Sequence, residues 1–506
     1  MYTKNKTLKY LSSKVSLVVT LILTLMCQNC ADLDEDPTTS QLAPGQFTSL
    51  EDFDLGVTGV YGKLRTASQW TTFFVFGWAG DDITTHRALN KAPFREYDQM
   101  NVSSDNPRSL SNWNDVYSMI RAVNTVIESA QGLSVPDQEG YDRLLGESHF
   151  LRGTLFLHMT RIHGRIPLPL SSAPDFEIGL ATQQEVYEQV ERDLLLAESL
   201  LPDLYPGVIA GAPRPNKGSA QAILSRLYLN WAGYPLKDNT KYTEAADVAK
   251  KVIDNHPAHG FELLSDLNDL WKVENRFNSE SVWTIAYSNP SNLGNRKYGI
   301  LGYPSDVEGG WSETFAEVRF FEDFPEGPRK EATYRTDLDW KNFQDQVQPI
   351  FTKIAGPQGD LPSQWSTDRN DFYMRYAEVL LNYAEASGRS GSPTAEAWEA
   401  LNKIRRRAAG KPFNTPDPSV DLTSGDLGEL AFTERKWEFA GEYLRYNDLV
   451  RMERVADALS DQARTPLDPN ISLSNPVVGS LSPDNYFAPI PQIEIDLNPN
   501  LDPDNN

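Results

Sequence analysis

Apolar residues recur every three or four positions through much of this chain, and the first such stretch sets the pattern. In "TSLEDFDLGVTGVYGKL" residues Leu50, Phe53, Val57, Val60, Tyr61 and Leu64 share one helical face. Ser49 and Asp52 have capping-box spacing ahead of them, which predicts where that helix starts. "WNDVYSMIRAVNTVIES" repeats the design with Trp113, Val116, Tyr117, Ile120, Asn124 and Ile127. A long helix follows in "YDRLLGESHFLRGTLFLHMTRIHG", stopped at Gly164 before Pro167. "TQQEVYEQVERDLLLAESLLP" is opened by Thr182 with Glu185 and closed by Pro202. "NKGSAQAILSRLYLNWAG" and "YTEAADVAKKVIDN" come next. Helical periodicity resumes in "FYMRYAEVLLNYAEAS", "TAEAWEALNKIRRRAAG" and "SGDLGELAFTERKWEFAGEYLRYNDLVRM". Successive helices with small residues at their crossings predict a mostly α protein built of tetratricopeptide-like helix pairs.

The pattern breaks between about Phe261 and Asp371. Short strand-like pieces such as "SVWTIAYS" alternate there with Gly/Pro/Asn-rich stretches, "SNPSNLGNRKYGILGYPSDVEGGW" and "EDFPEGPRKEATY". This reads as a loop-rich, irregular half, the kind of terrain that carries binding sites on a rigid scaffold. From Thr465 the chain is rich in Pro, Asn and Asp, and is expected to run extended over the surface.

The N-terminus changes the compartment. Lys4, Lys6, Lys9 and Lys14 precede the apolar run "VSLVVTLILTLM", Val15 to Met26. A bilayer-spanning helix needs about 20 apolar residues, so this shorter run reads as a secretory signal. Cys27 and Cys30, the chain's two thiols, stand at its end. We expect residues 1–29 to be a lipoprotein signal peptide and Cys30 to be the lipidated first residue, because Asp32, Asp34, Glu35 and Asp36 follow it directly; its acyl chains would hold the protein on a membrane. Such a mature chain has no other thiol, which excludes disulfides, thiolate metal sites and a cysteine nucleophile. Removing residues 1–29 takes away four lysines and no acid, moving the net charge from -23 to -27. So acidic a body repels polyphosphate, and no nucleic-acid partner is expected.

Six segments taken in order, "GESHFLRGTLFLHMTRIHGRIPL", "NKGSAQAILSRLYLNWAG", "RYAEVLLNYAEAS", "LNKIRRRAAG", "ERKWEFAGEYLRYNDLVR" and "YFAPIPQIEIDLNPNL", resemble the signature blocks of the SusD/RagB family, and "CADLDEDP" resembles the start of its mature proteins. The resemblance covers nearly the whole chain. It implies a helical lipoprotein on the outer face of the outer membrane, which captures glycans, less often peptides, and passes them to a SusC-like TonB-dependent transporter. It also implies a layout of signal peptide 1–29, an N-terminal region 30–260 with the helix-pair repeats, and a C-terminal region 261–506 with the loop-rich insertion and closing helices.

Catalytic signatures are lacking. No H-E-x-x-H, G-x-S-x-G, phosphate-loop or EF-hand motif occurs. His158 and His163, five apart, do not share a helix face. We expect no catalytic residue, metal or cofactor. Glu378, Glu385, Glu434, Arg435, Arg445, Asp448 and Arg451 read as an ion network between helices. Sugar binding asks for aromatic rings against C–H faces, with Asp, Asn, Gln or Arg on the hydroxyls, and two expected loops supply both. "WTTFFVFGWAGDDITTHR" offers Trp70, Phe73, Phe74, Trp78, Asp81, Asp82 and Arg87. "YGILGYPSDVEGGW" offers Tyr298, Tyr303, Asp306 and Trp311, with Asn292 and Asn295 before it. Family ligand sites combine these two regions, so the resemblance points the same way. Trp70, Phe74, Trp78, Asp82, Arg87, Tyr298, Tyr303 and Trp311 are the expected ligand-binding residues. Trp113, Trp231, Trp398 and Trp437 fall on helical faces and are expected to pack.

Overall fold

In a computed structural model, Ser49 caps the first helix: its hydroxyl accepts from the Asp52 amide while the Asp52 carboxylate answers the Ser49 amide. The structure describes residues 47–505 apart from 206, 292, 299–301, 305–306, 308–309, 338–348 and 357–365. The signal segment, Cys27, Cys30, Asn292 and Asp306 therefore lie outside the described residues.

Among the described residues nine long helices carry the architecture: α1 Leu50–Ser68, α2 Pro107–Ala130, α3 Gln138–His163, α4 Gln183–Leu200, α5 Lys217–Ala232, α6 Lys241–Asp254, α7 Tyr376–Arg389, α8 Ala395–Ala408 and α9 Leu427–Glu438. Each packs on the next from α1 through α7, and α7 then takes both α8 and α9. That is the helix-pair array expected from the periodicity. The start of α4 repeats the capping box, with Thr182 and Glu185. The α3–α4 crossing is close because Gly153 has no side chain; a Cβ there would lie 3.1 Å from the Asp193 Cβ. Arg152 and His149 of α3 both bind Asp193 of α4, at 2.7 Å each, which ties the same crossing by polar contacts. One apolar core runs through the array, from Val57 and Val123 to Leu224, Val282 and Leu380. Trp113 and Trp231 are buried in it, and Trp398 and Trp437 pack against the cores, as expected. Among the described residues no helix is long and apolar enough to cross a membrane.

The expected ion network is present and extends further. Arg451 bridges Glu385 (2.7 Å) and Asp448 (2.9 Å), and Arg435 joins Asp448 at 2.9 Å. Glu378 pairs with Arg226 at 2.6 Å and Glu434 with Arg329 at 2.6 Å. Arg445 turns instead to Asp81, at 2.7 Å.

Strands are short and come in antiparallel pairs. β1 (Ile83–Thr84) pairs with β3 (Phe315–Ala316), β2 (Ser281–Ile285) with β6 (Asp371–Arg375), and β4 (Tyr334–Arg335) with β5 (Ile350–Phe351). The segment "TTFFVFGWA", expected in a loop, is a 3₁₀ helix, Thr71–Ala79, buried almost all round. From Phe73 to Ala79 every residue is apolar, so it has no polar face and shows no period. Gly77 lets Tyr443 lie directly against it, where a Cβ would meet the Tyr443 Cβ at 2.7 Å. The segment after Thr465 lies less loosely than expected: Ser474, Asn475 and Tyr486 are buried, and the Asn475 amide donates to Asp98 and to the Thr85 carbonyl.

Candidate functional site

Two segments far apart in the chain, residues 86–91 and 310–312, line one surface cavity, and Trp70 packs against the Trp311 ring beside it. The β1–β3 pairing sets Ile83 opposite Ala316 and Thr84 opposite Phe315, so residues just after β1 stand beside residues just before β3. A cavity of ≈ 350 Å³ opens between them, lined by His86, Ala88, Asn90, Lys91, Gly310, Trp311 and Ser312. The turn that presents Trp311 closes with the Ser312 amide on the Tyr303 carbonyl, at 2.9 Å. Gly310 is needed there, because a Cβ would overlap the carbonyl oxygens of Tyr303 and Pro304.

A third segment brings Trp70, at the entry to the 3₁₀ helix. Its ring centroid lies 6.0 Å from that of Trp311, tilted by 43°. Arg296 stacks on its other neighbourhood, 4.5 Å from the ring centroid. The amides of Arg296 and Lys297 hold that strand of chain to the end of α1 through the Gln69 carbonyl, at 3.1 and 3.0 Å.

Glu313 is the buried clamp beneath. Its carboxylate accepts from the Thr71 hydroxyl (2.8 Å) and from Lys91 Nζ (2.9 Å), and its carbonyl accepts from the Trp78 indole (3.1 Å). One residue thus ties all three segments together. Lys91 in turn lies 5.6 Å from the Trp311 ring centroid. The Ala88 amide donates to His86 Nδ1 at 2.9 Å, which puts the imidazole proton on Nε2. Burial, then the charges of Lys91 and Arg95, lower the His86 pKa.

Of the expected ligand residues, Trp70 and Trp311 are the two the fold brings together at this surface. Trp311 is 36% exposed and borders the cavity. Phe74 and Tyr298 are half-buried behind it, packed around Lys297, whose Nζ lies 4.3 and 4.7 Å from their ring centroids and pairs with Asp371 at 2.6 Å. Three expectations are corrected. Trp78 is 0% exposed, its indole donating to Glu313 and its ring against Phe94. Asp82 is buried, accepting the Gly441 amide at 2.8 Å; burial and the neighbouring Asp81 push its pKa up to about 7. Tyr303 is buried, its hydroxyl donating to the Ala355 carbonyl. All three are held by the protein itself and offer no surface to a ligand. Arg87 lies at the surface, but its guanidinium is engaged by the carbonyls of Leu473 (2.6 Å) and Ser474. The sequence reading missed His86, Asn90, Lys91 and Arg296; "THRALNK" directly follows the first aromatic cluster, and its polar character was the available signal.

The helical array thus carries a surface cavity bordered by Trp311, with Trp70 against that ring. Two family models match the chain: one described as "SusD family" over residues 351–506, and one described as "Starch-binding associating with outer membrane" over residues 33–229. The SusD-like protein P2 of Formosa agariphila is 26% identical over 97% of this chain and 99% of its own length. A SusD homologue from Bacteroides thetaiotaomicron has the same fold, with a TM-score of 0.74 at 22% identity over 90% of this chain and 97% of that one. So does a laminarin-binding SusD-like protein, with a TM-score of 0.73 at 24% identity over 89% and 98%. This chain belongs to the SusD-like family.

Proposed function

We propose that this protein is a surface lipoprotein that binds a polysaccharide or oligosaccharide at the Trp70–Trp311 cavity and delivers it, uncut, to a SusC-like TonB-dependent transporter. In this reading Cys30 carries the lipid that anchors it to the outer membrane. The observation that carries the proposal is the pair of tilted indoles, 6.0 Å apart, one from each half of the chain, beside a cavity with polar His86, Asn90, Lys91 and Ser312. Flat apolar faces flanked by a few polar groups match a sugar ring, whose C–H face is apolar and whose edge carries hydroxyls. The family description and the laminarin-binding neighbour support the same ligand class. Asp81 and Asp82, the adjacent acids that could have formed a glycosidase pair, are buried and engaged by Arg445 and Gly441.

Native gels cast with a panel of polysaccharides test the binding step. Retardation without released oligosaccharide is the expected result, and release of product would make the protein an enzyme. Incorporation of labelled palmitate, lost in Cys30→Ala, tests the anchor. Co-purification of a TonB-dependent barrel from outer membranes tests the delivery step.

A further inference from the structure

The geometry points to an anionic glycan, one bearing sulfate ester or uronate carboxylate groups, as the ligand class of this cavity; the inference rests on the glycan-binding reading above and narrows it. The chain as a whole is strongly acidic, with net charge -23. Near the cavity, among the described residues, three arginines make no ion pair. Arg87 donates to the carbonyls of Leu473 and Ser474, and Arg95 to those of His86 (3.1 Å) and Ala88 (2.5 Å). Arg296 lies on the Trp70 ring. Carbonyl dipoles and a ring face satisfy a guanidinium's hydrogen bonds or its plane without cancelling its charge. Among the described residues no carboxylate pairs with any of these three arginines.

Among the described residues, the charges next to them in the chain are engaged elsewhere. Lys91 and Glu313 neutralise each other, buried, at 2.9 Å. Glu96, the one acid in "ITTHRALNKAPFREY", is turned toward the Ser103 amide and the Asn106 side chain.

A neutral glycan needs rings and hydroxyl partners alone. Arg296 on the Trp70 ring, with Arg87 and Arg95 in and just after the segment 86–91 that lines the cavity, adds attraction for anionic oxygens, and planar N–H donors suit both sulfate and carboxylate. Such a field also concentrates a polyanion that the rest of the surface repels.

The test uses the purified full chain and calorimetric titration with oligosaccharides of one backbone in neutral, uronate and sulfated forms. At low salt at least one anionic form should bind about tenfold more tightly than the neutral form. That advantage should shrink as added salt shortens the Debye length from about 10 Å toward 3 Å. Arg296→Gln and Arg87→Gln should each weaken the anionic form by about fivefold and the neutral form by less. Lys250→Gln removes an equal charge from a surface pair with Asp254 on α6 and should change neither. Binding of the neutral form at equal or higher affinity, lost in Trp311→Ala, would overturn the inference and leave the glycan reading standing. Absence of binding to all three forms would overturn both. Which anionic form binds names the source of the charge.

Discussion

Arginine is used in two opposite ways in this molecule. Between α7, α8 and α9 four cations, Arg329, Lys353, Arg375 and Arg407, meet four carboxylates, Glu280, Glu434, Glu438 and Glu442. Arg375 alone reaches Glu280 at 2.5 Å, Glu442 at 2.7 Å and Glu438 at 3.1 Å. Beside the cavity, Arg87, Arg95 and Arg296 rest on carbonyls and on an indole. The first set is almost wholly buried and each of its cations meets at least one carboxylate, so its charge is consumed by the fold. The second keeps its charge available at a surface. Net charge over the whole sequence hides both facts, because function depends on where the counter-ions are.

The comparison breaks most visibly at Arg375. Replacing it with Leu leaves Glu280 and Glu438 buried with fewer cations, and losing one partner of a buried network typically costs about 3–5 kcal/mol. Burial alone would raise the Glu438 pKa, yet Arg407, Arg375, Arg329 and Lys353 hold it down to about 2. Urea unfolding of Arg375→Leu should therefore show a shift of that size. A loss below about 1 kcal/mol would mean that the network does not bear on stability.

The next effect sets the helical array against the floor of the site through pH. In α3, burial, then Arg161 and His163, lower the His158 pKa to about 3, while its ring stacks on Phe73 at 4.1 Å. A depressed histidine contributes stability that is present above its unfolded value near 6.5 and lost as pH falls toward 3. Asp82 has the opposite sign: raised to about 7, it contributes stability that is full below its unfolded value near 3.8 and lost as pH rises through 7. Between pH 4.5 and 6.5 the two oppose each other, at up to about 1.4 kcal/mol per pH unit per proton. In denaturant titrations across that window, His158→Phe should remove an upward slope with pH and Asp82→Asn a downward one. Slopes unchanged from the parent in both variants would reject these protonation states.

These two residues also mark what the sequence made legible. Capping boxes, periodic faces and proline stops are local, and they located α1 and α4 correctly because a helix satisfies its own backbone. The ion network was readable in outline because its members lie at helical spacing in recognisable blocks. The 3₁₀ segment was not. Trp70, Phe74, Trp78 and Asp82 look alike in sequence as members of an aromatic and acidic cluster, but their fates depend on contacts with Glu313, Tyr443 and Gly441, hundreds of residues away. Trp78 went to the core and Trp70 to the rim for a reason no local pattern carries: Trp78 meets Phe94, Tyr443 and the Glu313 carbonyl, whereas Trp70 meets Trp311 and Arg296. Lys91 was missed for the same cause, since its partner Glu313 is distant in sequence.

At the rim the effect moves from stability to binding. Trp311→Ala should reduce glycan affinity by about 1–3 kcal/mol, by analogy with bases stacked on aromatic side chains, while Trp78→Phe should act on stability because its indole bond to the Glu313 carbonyl is lost. Paired titrations and melts separate the two. Affinity unchanged in Trp311→Ala would remove that ring from the site.

The smallest effect is the most discriminating. Arg296→Gln removes the same unit of charge as Arg375→Leu, but from a half-buried position where the guanidinium has a ring and no carboxylate. No buried acid is stranded, so only the cation–π contact is lost, at about 0.5–1 kcal/mol. If guanidiniums at the cavity hold the fold as those between α7, α8 and α9 do, the urea midpoint of Arg296→Gln should drop as far as that of Arg375→Leu. A midpoint close to the parent's, with a large drop in Arg375→Leu, is the expected result, because the cost of deleting a buried charge comes chiefly from the partners left behind. Arg296 leaves none, and its charge is therefore available to a ligand.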